Sequence, residues 1–73
     1  MKQIHLEIID QTLRVVQDRT NVGKEWVYHE LIDNHPEYLD QTNCATIKRY
    51  ITKALIGNHW KNTSKKMNWF IRC

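Results

Sequence analysis

Apolar positions recur at helical spacing in three stretches of this chain and alternate in a fourth. Over residues 3–18, Leu6, Ile9, Leu13 and Val16 share one face of a helix and form its expected core stripe. Ile4, Ile8 and Val15 make a second apolar line, roughly 100° or more around the same helix. Two covers fit that second line: another helix of a three-helix core, or the same line in a second copy of the chain, which would make it a dimer seam. Asp18 to Lys24 holds the first Gly together with good turn and capping residues, so the helix is expected to end there. Trp26, Val27, Leu31 and Ile32 then mark a short second helix to about Asn34, although Glu25-Trp26-Val27 also reads as a brief strand before it.

Pro36 disfavours helical backbone at His35, so residues 35–40 read as a connection anchored by Tyr38 and Leu39. A third helix is expected after a cap at Thr42 or Asn43 and runs to about Ile56, where Gly57-Asn58 supplies a stop. Ile47, Ile51, Ala54 and Leu55 form its inner face; Thr42, Ala45, Thr46, Arg49, Thr52 and Lys53 lie opposite, with Lys48 on the flank. The remainder, His59 to Arg72, reads as two strands around a polar turn near residues 62–65. In the second strand Met67, Trp69 and Ile71 point one way, expected to be inward with Trp60 as cross-strand partner, and Asn68, Phe70 and Arg72 the other. The expected fold class is therefore α+β, mainly α: one domain with three helices and a C-terminal β-hairpin.

Charge changes this picture more than composition does. All eight acidic residues precede position 41, and the 33 residues that follow carry Lys48, Arg49, Lys53, Lys61, Lys65, Lys66 and Arg72 with no acid among them. The overall +3 thus conceals a chain with a net −4 up to Asp40 and +7 beyond it. Cations interleaved with Tyr50, Trp60, Trp69 and Phe70 suit a phosphate-facing surface, which makes double-stranded DNA the first partner to consider. With 73 residues the core is small, and the 26% charged fraction is that of an ordinary globule. No apolar run approaches the roughly 18–20 residues of a membrane span, and the first residues lead into no signal-peptide core, so the expected location is cytoplasmic, away from membranes.

The order helix, short strand or turn, helix, connection, helix and basic-tipped hairpin resembles a winged helix-turn-helix domain over nearly the whole chain. Asn43-Cys44-Ala45-Thr46-Ile47-Lys48-Arg49-Tyr50-Ile51-Thr52-Lys53-Ala54-Leu55 is similar to the recognition helix of many bacterial and phage winged-helix repressors. In these, small and hydroxyl residues open the helix, an Arg or Lys follows and an apolar pair closes it. The resemblance implies that the third helix enters the major groove, with Thr46 and Arg49 toward base edges, Lys48 and Lys53 on flanking phosphates, and Thr42 and Asn43 at the helix start also among the nucleic-acid-binding residues. It further implies that Lys61, Asn62, Lys65 and Lys66, around the wing tip, meet the backbone or minor groove. A solvated, lysine-rich turn is the plainer account of those four.

The implied function is a small regulator of transcription or DNA processing, of a kind common in phages and mobile elements. A homodimer is expected, because one module of this size has a small footprint; Ile4, Ile8 and Val15 are the candidate seam. An alternative of another class is a winged-helix inhibitor or adaptor that docks on a host enzyme or polymerase through Glu25, Glu30, Asp33, Glu37 and Asp40. The four histidines lack ligand spacing, Cys44 and Cys73 suggest neither a disulfide framework nor a zinc site, and Gly-rich phosphate loops are absent. No metal, no cofactor and no enzymatic activity are expected.

Overall fold

A computed structural model describes residues 2–64, 66 and 68–73. Its elements, in chain order, are α1 (Gln3–Val16), β1 (Asn21–Gly23), α2 (Lys24–Asn34), α3 (Tyr38–Gln41), α4 (Cys44–Ile56), β2 (Trp60–Ser64) and β3 (Trp69–Arg72). The three strands form one antiparallel sheet in the order β1-β3-β2. The α+β, mainly helical class expected from the sequence is the class observed, with a sheet of three strands where the sequence suggested a two-stranded hairpin.

Helix α1 turns its other apolar line inward. Ile4, Ile8, Thr12 and Val16 are buried, and Val15 is half-buried against the same core. Leu6, expected in the core, is 49% exposed. The expected dimer seam is thereby corrected: Ile4 and Ile8 lie inside the protomer and cannot form a surface. Spacing alone does not choose between two apolar lines on one helix, and Thr12 disguised the inner one. Its hydroxyl donates to the Ile8 carbonyl at 2.7 Å, so the polar group enters the core already satisfied.

The end of α1 is held from the far end of the chain. Arg72 donates through Nη2 to the carbonyls of Val16 (2.7 Å), Gln17 (3.2 Å) and Arg19 (2.9 Å), and through Nε to Arg19 (3.1 Å). These carbonyls lie at and just beyond the end of α1, where that of Val16 also accepts the Arg19 amide at 3.0 Å, and a cation there opposes the negative end of the helix dipole. The same guanidinium lies 4.5 Å over the Trp60 ring.

Residues 25–27, readable as strand or helix, are helical, and the short strand comes just before them as β1. Gly23 in β1 accommodates Trp69: a Cβ at Gly23 would stand 3.2 Å from the Trp69 ring. Val27 and Leu31 of α2 reach the core, with Tyr28 and Ile32 packed beside them. The connection at 35–40 contains a four-residue helical turn, α3, so the helices number four rather than three among the described residues. Tyr38 anchors it as expected, fully buried, stacked on His35 and donating its hydroxyl to Glu7 at 3.3 Å. Burial and then the Glu7 carboxylate push the Tyr38 phenol well above its ordinary pKa of 10. Leu39 does not anchor; it is 45% exposed.

Helix α4 follows the sequence reading closely. Asn43 caps it by accepting the Thr46 amide at 2.9 Å, and Ile47, Ile51, Ala54 and Leu55 are buried. Gly57 keeps right-handed backbone, and the reversal falls on His59, at φ 69°. In the sheet, Val22 pairs with Phe70 and Trp60 with Arg72, which sets the inner face. Phe70 is fully buried, whereas Trp69 and Ile71 are 39% and 42% exposed, the reverse of the expected facing. Both faces of β3 carry large apolar groups, so alternation leaves the choice open and the register with β1 decides it. The expected orientation of Met67 lies outside the described residues. Among the described residues no helix is long and apolar enough to cross a membrane.

Candidate nucleic-acid interface

The outer side of α4 is built by its inner side. Once Ile47, Ile51, Ala54 and Leu55 are committed to the core, helical geometry turns Ala45, Arg49 and Lys53 to solvent, and all three are exposed. Thr42 and Thr46, at its start, are half-buried, and the Asn43 side chain is engaged as the cap. Arg49 lies 5.4 Å and Lys53 5.7 Å from the centroid of the Tyr50 ring, and neither meets a carboxylate among the described residues. Two free cations on a helix face with no acid of its own can approach phosphates or base edges without first breaking an ion pair.

Lys48 is placed differently. Its Nζ is 2.6 Å from Glu25 Oε2 on α2 and 5.0 Å from the Tyr28 ring centroid. The bond to Glu25 raises the Lys48 pKa and lowers that of Glu25. Expected on a flanking phosphate, Lys48 instead joins α2 to α4. Glu25, counted among the acids of a possible protein-docking face, is occupied by the same contact. The two residues are far apart in the chain, and only the packing of their helices pairs them.

The hairpin divides its candidates. Lys61 is exposed on the outer face of β2 opposite Ile71, and Lys66 is exposed in the turn. Asn62, expected near the wing tip, sits within β2 opposite the buried Phe70, with its Oδ1 buried. It faces inward, and the expected DNA contact is corrected: β2 continues to Ser64, three residues further than the proposed turn allowed. A register shift between Asn62 and Ser64 marks a β-bulge there, which bends the strand. Lys65 lies outside the described residues.

Packing of α1 on α4 adds residues that the charge pattern did not reveal. His5 stacks on Tyr50 with ring centroids 4.2 Å apart and 14° between the planes. Burial, then Lys2, then Arg49 lower the His5 pKa from its ordinary 6.5. The basic surface thus extends from α4 onto the first turn of α1. His5 belongs to the acid-rich half of the chain, and no local motif announces a stack across two helices. No group of three His, Cys, Asp or Glu side chains is placed to hold a metal among the described residues. Comparison with known proteins returns no matching family model, no matching curated protein and no matching solved structure.

Proposed function

We propose that this chain is a winged helix-turn-helix domain that binds double-stranded DNA, with α4 in the major groove and the β2–β3 hairpin against the backbone or minor groove. The observation that carries the reading is the outer side of α4, where Arg49 and Lys53 stand exposed and unpaired on a surface without acids. Further support comes from the sheet. A short strand between the first two helices pairs with the last strand, in the order β1-β3-β2, in keeping with the element order on which the resemblance rests. Arg49 is the proposed base-reading residue, able to donate two hydrogen bonds to guanine. Lys53, Lys61 and Lys66 are proposed backbone contacts. Two copies on a palindromic site would supply affinity that one module lacks, through a surface other than Ile4 and Ile8. A regulator of transcription or DNA processing in the cytoplasm is the role that fits.

A mobility-shift titration with random duplex at two salt concentrations tests the class. Three or four phosphate contacts predict that log affinity falls with log salt at a slope of about −3. Arg49→Ala is expected to cost about 1–3 kcal/mol at a preferred site and to relax base preference at one position. Failure to bind duplex even at low salt would overturn the proposal. It would favour the protein-docking alternative, for which the specific observation is exposed Leu39 on α3, between exposed Glu37 at its N-cap and exposed Asp40.

A further inference from the structure

The stacked pair of His5 and Tyr50 sits where α1 and α4 meet, beside Arg49 and Lys53 of the face proposed to meet DNA. Arg49 and Lys53 lie 5.4 and 5.7 Å from the tyrosine ring, and Lys2 acts on the histidine from the N-cap of α1. None of the three cations has a carboxylate partner among the described residues. Around His5, then, the N-cap of α1 contributes Lys2 and α4 contributes Tyr50 and Arg49, with Lys53 beside the ring; no acid is among the groups acting on it. The histidine is half-buried and its Nδ1 is shielded from solvent with no hydrogen-bond partner.

Such a cluster has an unfavourable self-energy. Like charges gathered without counter-charge repel one another, and they oppose a further charge on the imidazole. A phosphate reverses that balance: it neutralises the field of Lys2 and Arg49 and favours a cation at His5. We propose that Lys2, His5 and Lys53, arranged about Tyr50, bind a phosphate of the DNA backbone beside the base contact of Arg49, and that His5 takes up a proton as the phosphate arrives. The inference rests on the DNA-binding reading and adds a regulation to it. Binding that takes up a proton tightens as pH falls, by at most tenfold per pH unit for one proton. His5 is neutral in the free protein at pH 7, so the effect is expected from about neutral pH downward until the free histidine itself titrates.

The test is fluorescence anisotropy of a short labelled random duplex between about pH 5.5 and 8 at constant ionic strength, with wild type and His5→Gln. Wild type should tighten several-fold on acidification beyond any tightening of the variant. NMR titration of the His5 ring in wild type, with and without duplex, should show its pKa raised by DNA. Equal pH slopes in the two proteins, with binding intact, would overturn the proton uptake while leaving the DNA reading in place. Loss of all duplex binding by wild type at low salt would remove both. The NMR arm decides the matter even if His5→Gln folds poorly: an unchanged His5 pKa on the duplex refutes the proposal.

Discussion

Arg72→Ala should destabilise the domain far more than its position near the end of the chain suggests. The shortest of its bonds, Nη2 to the Val16 carbonyl at 2.7 Å, is partly buried and made by a charged donor, a class worth about 1.5–3 kcal/mol. Bonds to the Gln17 and Arg19 carbonyls lie at the surface, where water replaces them at little cost. The charge at the end of α1 adds about 0.3–1 kcal/mol, and the approach to Trp60 at 4.5 Å about 0.5–1 kcal/mol. These contributions overlap, so the expected loss is about 2–3 kcal/mol, or about 10–20 °C in Tm for a domain of this size. Urea unfolding followed by far-UV circular dichroism measures it, with an unchanged m-value expected. Arg72→Lys keeps the charge but not the planar fork that spans several carbonyls, and should lose about 1 kcal/mol. A loss below about 0.5 kcal/mol for Arg72→Ala would refute the capping role.

Two further expectations concern packing and the start of α4. Phe70→Ala should cost about 3–5 kcal/mol in the same unfolding assay and leave little folded protein, whereas Trp69→Ala, on the outer face, should cost much less; the reverse ranking would put the hairpin the other way round. Asn43→Ala removes the cap on the Thr46 amide and should cost about 1 kcal/mol. If Asn43→Ala also weakens duplex binding beyond what the lost folded fraction explains, the side chain has a role on DNA besides capping.

Helix α4 was legible because only one of its faces is apolar. Ile47, Ile51, Ala54 and Leu55 leave no second choice, and the candidate caps Thr42 and Asn43 stand just ahead of the helix. Helix α1 carries two apolar lines, and the inner one includes Thr12, whose burial depends on a bond back to its own helix. In β3, Trp69 and Ile71 compete with Phe70 for the inside, and a three-residue partner strand settles the contest. The charge asymmetry drew attention to Arg49 and Lys53, which are exposed and meet no carboxylate among the described residues, but it counted every late cation alike. Lys48 is bound to Glu25 and Arg72 to backbone carbonyls, roles that depend on which segments meet in space. The stack of His5 on Tyr50 was invisible for the same reason: its partners lie on the first and last helices.

The placement of β3 in the middle of the sheet has a consequence for how the chain folds. β1 and β2 do not touch as strands; each is paired only through β3, and Asn21 must wait for Ile71. Closing so long a loop is entropically costly, while α1, α2 and α4 can collapse on one another without it. The helices are therefore expected to assemble before β1 pairs with β3, a late step that also delivers Arg72 to the end of α1. Until that step, α1 lacks its stop and Val22 lacks its cover, so a nascent or partly unfolded chain presents a helical cluster with a raw apolar edge. Substitutions in β3 should then act mainly on the rate of unfolding, and those between α1 and α4 on the rate of folding.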